Sequence, residues 1–211
     1  MVLRAARSVD PWGGSGSSAG VGAPGYGRCM TMYAALLRGI MPSNPNMSND
    51  KLRGVFTGLG FESVASVLSS GNIVFATADT DIAELEDRIQ EALNTELGIP
   101  GGTIIRAESE LRDLLDRDPF AGFTHGRGTY LTATFFKRTG EAPPVEPADG
   151  DPLTKIIGYD ASARVFLTVI DNSTSKTPNF MAWLERAYGK DITTRTWLTV
   201  QRVLKKIDAV K

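Results

Sequence analysis

Apolar and polar positions change rhythm several times along this chain, and each change marks an element. Met32 to Leu37 is an unbroken apolar run of strand length and predicts a central strand from Thr31. Arg38-Gly39 and a Pro/Asn loop, Met41 to Met47, end it. Ser48 is a good helix N-cap. Leu52, Val55, Phe56 and Leu59 then recur at helical spacing, and Gly58 and Gly60 close that helix. Ser63 to Leu68 alternates and predicts a strand. Ser70-Gly71 fits a two-residue hairpin loop in which glycine supplies a positive φ. Asn72 to Phe75 is the returning strand. Asp81 suits the cap of a longer helix, with Glu84 three residues on and an apolar face of Ile82, Leu85, Ile89, Leu93 and Leu97. Pro100-Gly101-Gly102 breaks it, and Thr103-Ile104-Ile105 is a fourth strand.

That order, β-α-β-β-α-β, is the ferredoxin-like split pattern. With the usual right-handed crossover, the first two strands run parallel and end at the same edge, with the third between them. Neighbouring strands lie about 5 Å apart. Arg38, Ser70 and Asn72 are therefore expected to gather at one sheet edge.

A second unit follows. Ser109 is the expected cap of a short helix burying Leu111, Leu114 and Leu115. Thr129 to Lys137 predicts a strong strand. Residues 138–152 are Pro- and acid-rich and read as loop. Leu153 to Tyr159 and Arg164 to Ile170 predict a hairpin across Asp160-Ala161-Ser162. Thr177-Pro178 fits an N-cap followed by proline, ahead of a helix burying Phe180, Trp183, Leu184, Ala187 and Tyr188. Thr193 or Thr194 is the expected cap of a last helix with Trp197, Val200, Leu204 and Ile207 on its apolar face. The fold class expected is α+β. A ferredoxin-like unit (30–107) packs with a second α+β unit (108–211), for which a second ferredoxin-like arrangement is left open.

Composition narrows the function classes. The chain has 211 residues, 42% hydrophobic and 22% charged, enough for a sizeable core. Its net charge of -1 argues against a globally basic nucleic-acid surface. One cysteine, Cys29, excludes an internal disulfide framework, and with a single histidine, His125, no metal site is expected. No cofactor is implied by any motif. No apolar run reaches the roughly 20 residues needed to span a bilayer, so a reducing, cytoplasmic setting is expected. Residues 1–29 are Gly/Ser-rich, lack an apolar signal core and read as a flexible tail, or as a start placed too early.

Five segments in order carry a family resemblance. They are Leu36-Leu37-Arg38-Gly39-Ile40, Gly60-Phe61, Ser70-Gly71-Asn72-Ile73-Val74-Phe75, Ser175-Lys176 and Thr193-Thr194-Arg195-Thr196-Trp197. Together they resemble the domain-of-unknown-function family DUF1697 over about residues 32–208. The resemblance implies a two-part α+β fold with ferredoxin-like units and carries no biochemical activity. Two departures stand out. The loop after Ile40 is Met41-Pro42-Ser43-Asn44-Pro45-Asn46 where the family has an Asn-Val-Gly-Gly-like run, and proline removes backbone donors there. Thr196-Trp197-Leu198 replaces Asn-Trp-Asn.

Candidate chemistry centres on cations and small polar groups. Arg38 beside a Ser/Asn turn can bind a phosphate or carboxylate bidentately, or can pin a loop through carbonyls. Lys176, Thr194 and Arg195 stand near two expected helix starts, where free N–H groups favour anions; ordinary capping and surface ion pairs compete with that reading. The leading expectation is an anionic small ligand bound by Arg38, Ser70, Asn72, Lys176, Thr194 and Arg195. The alternative is a phosphoryl- or acyl-transfer enzyme using Ser70 or Lys176, which needs a base within hydrogen-bond reach. Nucleic-acid or protein-partner binding ranks below both: the first unit lacks an aromatic-rich strand for stacking bases. From Lys190 to Lys211, six basic residues face two acidic ones, a pattern equally expected of a solvated helix face.

Overall fold

The computed structural model describes residues 29–137, 151–173, 178–189 and 191–211. The first half runs β1 (Thr31–Leu37), a short 3-10 turn (Pro45–Met47), α1 (Asn49–Gly58), β2 (Glu62–Ser66), β3 (Asn72–Thr77), α2 (Ile82–Leu97), β4 (Thr103–Ala107) and α3 (Glu108–Asp116). The second runs β5 (Tyr130–Phe136), β6 (Thr154–Asp160), β7 (Val165–Ile170), α4 (Phe180–Tyr188), β8 (Ile192–Thr196) and α5 (Trp197–Val210). No helix among the described residues is long and apolar enough to cross a membrane.

Both halves build a four-stranded antiparallel sheet with the same order, β2-β3-β1-β4 and β6-β7-β5-β8. The register repeats as well. Ala34, fourth in β1, faces Arg106, and Ala133, fourth in β5, faces Arg195. The N–H of Leu37 donates to Gly71 O, and that of Phe136 to Arg164 O; the next N–H groups, of Arg38 and Lys137, donate to Gly102 O and Asp191 O. The edge strands β2 and β6 each carry a register irregularity. In both halves a helix starts directly after the last strand.

The unbroken apolar run in β1 follows from burial on both faces. Successive side chains alternate between faces. Tyr33, Ala35 and Leu37 turn outward under α1 and α2, with Phe56, Phe75 and Ile89. Met32, Ala34 and Leu36 turn inward to a core shared with Leu131, Ala133 and Phe135 of β5. Leu111 and Leu114 of α3 and Trp197, Val200 and Leu204 of α5 join this inner core. The α5 helix packs against strands of both sheets. Phe180 and Leu184 of α4 cover the outer face of the second sheet. Each large side chain buried here stabilises by about 1.5–3 kcal/mol, so the shared inner core holds the halves together as one body.

Several local expectations change. The β2–β3 connection is Leu68–Gly71, four residues closed by Val67 N–H to Asn72 O, because Leu68 also takes a positive φ of 60°. Helix α3 starts at Glu108, before Ser109, and Glu110 accepts the Ala107 N–H at 2.7 Å. Thr193 and Thr194 do not cap the last helix. They lie in β8, paired with β5, and Thr196 is the cap, accepting from the Thr199 N–H. Helix α4 starts at Phe180, and the expected cap Thr177 lies outside the described residues. Ala187 is exposed on α4. Asp81 caps α2 as expected, accepting from the N–H groups of Ala83 and Glu84.

Candidate functional site

The Ser-Gly-Asn turn is assembled by its own side chains. Asn72 is buried, and its amide nitrogen donates to Val67 O at 3.1 Å and Ser70 Oγ at 3.0 Å. Gly71 has φ +73°, and a Cβ there would lie 2.4 Å from Ile40 Cγ1. Only glycine lets the chain leaving β1 pass this close to the turn.

Two arginines, Arg106 buried and Arg195 half-buried, bridge the halves reciprocally. Arg106 of β4 donates to Ala163 O (2.6 Å), Phe136 O (2.6 Å) and Arg164 O (3.2 Å) in the second half, and to its own neighbour's Ile105 O (2.7 Å). Arg195 of β8 donates to Leu37 O (2.6 Å) and Asn72 Oδ1 (2.5 Å) in the first half. It also donates to Thr193 Oγ1 and its neighbour's Thr194 O, both at 2.8 Å. Phe136 and Leu37 are the last residues of β5 and β1, so the two clamps occupy equivalent places. A second reciprocal pair lies outside them. Arg38 binds Glu185, sixth in α4, at 3.0 Å, and Lys137 binds Asp87, sixth in α2, at 2.8 Å.

The two clamps differ electrostatically. Burial pulls both guanidinium groups down to about 10. Arg106 has the carboxylates of Glu110 and Glu86 nearby, which partly offset that cost and the proximity of Arg164. Arg195 has no such support: its acceptors are all neutral, and among the described residues no carboxylate forms an ion pair with it.

A cleft of about 420 Å³ opens beside Arg195, between the end of β1 and the edge of β8. Arg38, Ser70, Thr193, Thr194 and Glu185 also line it. Arg38 forms its wall, donating to Gly189 O at 2.7 Å and Ile192 O at 3.2 Å besides Glu185. The Thr194 hydroxyl, on the outer face of the second sheet, meets Thr134 Oγ1 at 2.8 Å and Met181 Sδ of α4 at 3.6 Å.

Of the sequence-selected residues, Arg38, Ser70, Thr194 and Arg195 converge on this cleft. Asn72 stands behind it, both ends of its amide engaged. Lys176 lies outside the described residues. The helix-start argument for Thr194 and Arg195 is replaced by a strand edge. Ser70 is exposed, and its hydroxyl meets the Asn72 amide, not a base. His125 is occupied elsewhere, its Nδ1 accepting from the Leu131 N–H at 3.3 Å. Trp197 is buried edge-on against Phe120. Among the described residues no cluster of three or more His, Cys, Asp or Glu is placed to hold a metal. Of the basic C-terminal residues, Arg202 and Lys205 are exposed, and Lys211 is bound to Glu108.

Sequence reasoning missed Thr193, Glu185 and Arg106. The available signal was the repeat of Ile-Ile-Arg and Thr-Thr-Arg, each one residue before a helix cap.

The family described as "Protein of unknown function (DUF1697)" matches residues 30–153. No curated protein matches the chain. Among solved structures, a conserved bacterial protein from Streptococcus pneumoniae is similar over 85% of this chain and 99% of its own, with a TM-score of 0.65 and 19% identity. That likeness concerns the fold.

Proposed function

We propose that this chain, which belongs to the DUF1697 family, binds a small phosphate- or carboxylate-bearing ligand in the cleft between its halves. One observation carries the reading: Arg195 is a half-buried cation along the cleft, its guanidinium desolvated by its surroundings, without a carboxylate partner among the described residues. A buried charge is costly unless paired, and an anion in the cleft would offset that cost. Arg38 and the hydroxyls of Ser70 and Thr193 add donors or polar contacts at the rim. Lys176 belongs to the same proposal, as a cation close in sequence to α4. The cleft holds donors and one acid, Glu185, so recognition fits it better than transfer chemistry with Ser70. The repeated strand order supports a ferredoxin-like description of both units, and the single cysteine fits a reducing, cytoplasmic setting.

A thermal-shift screen of the full chain against nucleotides, sugar phosphates and small carboxylates tests this. A ligand at 100 times its Kd adds about 2.7 kcal/mol, or about 5–10 °C for a chain of this size. Arg38→Ala is expected to keep the fold and lose most of the shift. If no anion class shifts the parent, or if Arg38→Ala responds like the parent, the cleft is not an anion site.

A further inference from the structure

The near-repeat of the two halves allows one half to report on the other. In the first sheet, Arg38 N–H bonds Gly102 O across β1 and β4. Bonded pairs alternate along an antiparallel ladder, so Ile105, opposite Ala35, points its N–H and C=O away from β1 to the free edge. Both groups are taken. The N–H donates to the carboxylate of Glu86 at 3.0 Å, and the C=O accepts from Arg106 at 2.7 Å. Glu86 is fully buried, the fifth residue of α2. A protein carboxylate thus sits on a strand-edge N–H beside a buried guanidinium.

The second sheet repeats this edge. Lys137 N–H bonds Asp191 O, which places Thr194, opposite Thr134, with its N–H directed away from β5 at the free edge of β8. The Thr194 C=O accepts from Arg195 at 2.8 Å, as Ile105 does from Arg106. The carboxylate is what differs. The fifth residue of α4 is Leu184, turned into the outer core. Where the first half has Glu86, the second has the cleft lined by Thr194, Arg195 and Arg38.

We infer that the group recognised in this cleft is a carboxylate, seated on the Thr194 N–H beside Arg195 as Glu86 is seated on Ile105 beside Arg106. This rests on the anion reading above and narrows it. One oxygen takes the edge N–H, and the other is left to the cations of the cleft. The fold itself supplies the example of what such an edge accepts.

The test is a titration of the full chain followed by amide and Arg Nε–H resonances, comparing succinate with inorganic phosphate at constant ionic strength. Succinate is expected to shift the Thr194 amide and the Arg195 Nε–H saturably, at least tenfold more tightly than phosphate. Leu184→Glu, which places a carboxylate at the position equivalent to Glu86, is expected to weaken succinate at least tenfold. Should that variant not fold, the parent titration decides alone. Phosphate binding as tightly at the same amide overturns the carboxylate assignment while the anion site stands. Saturation by succinate that leaves Thr194 unmoved also overturns it. If neither probe binds, both readings fall.

Discussion

Replacing Arg106 by methionine removes one of the two clamps while keeping an unbranched, apolar stem. Its two 2.6 Å bonds, to Ala163 O and Phe136 O, join the halves across the fold. Hydrogen bonds from a charged donor contribute about 1.5–3 kcal/mol each, so their loss costs about 3–6 kcal/mol. Releasing a buried guanidinium returns a few kcal/mol of desolvation. The expected net loss is about 3 kcal/mol. Equilibrium urea unfolding, followed by tryptophan fluorescence and far-ultraviolet circular dichroism, measures it directly. For a chain of this size the melting temperature should fall by about 6–12 °C. The exposed Arg202→Met serves as a control and should leave the midpoint unchanged. If Arg106→Met is as stable as the parent or more so, the carbonyls are satisfied without it, and the clamp is a by-product of packing.

Other expectations follow from single sites. Burial raises the Glu86 carboxyl above its usual range, against the Ile105 N–H and the nearby Arg106. The folded state therefore holds a proton that the unfolded chain has released, and stability falls as pH rises from the ordinary glutamate value through the raised one. Glu86→Gln should be more stable than the parent at neutral pH, with the advantage vanishing toward acid; pH-dependent urea midpoints would show it. Asp160 behaves oppositely. Burial pushes its carboxyl up, but bonds from Ser162, the Ala163 N–H and Arg117 outweigh that and hold it below the ordinary value. Its contribution is present above the ordinary aspartate value and is lost as pH falls through the depressed one, so Asp160→Asn should flatten the acid limb of the stability profile. Gly101→Ala would place a Cβ 2.0 Å from Arg38 O. It should lower both the melting temperature and any ligand-induced shift, read in the same thermal assay.

The outer framework was legible because the signals there are local. Asp81 before an apolar stripe of period 3.6 could only be a capped helix, and Met32 to Leu37 was too short and too apolar for anything but a strand buried on both faces. Topology then brought Arg38, Ser70 and Asn72 together. What stayed hidden were features that depend on the other half. Ile192–Thr196 is strand by pairing with β5, yet its threonines are also ideal capping residues, and the local reading chose the cap. Local pattern ends the β4 strand at Ile105, because an arginine reads as surface, whereas the strand runs on to Ala107. Nothing local marks Arg106 as buried among carbonyls 30 to 58 residues distant. The length of the Ser-Gly turn was missed because Leu68 adopts a positive φ that sequence assigns to glycine.

The reciprocal clamps also bear on how the chain reaches this state. Arg195 closes on Leu37 O across a separation of 158 residues, and contacts so remote form late, after the entropy of the intervening loop has been lost. A chain emerging from the ribosome completes β1 and β3 long before β8 exists. Until then the Leu37 carbonyl and the Asn72 side chain must be hydrated, and the inner face of the first sheet must wait for α5. A nascent chain stalled ahead of β8 would thus expose that unfinished face to chaperones and proteases, whereas a completed one hides it with its last strand and helix.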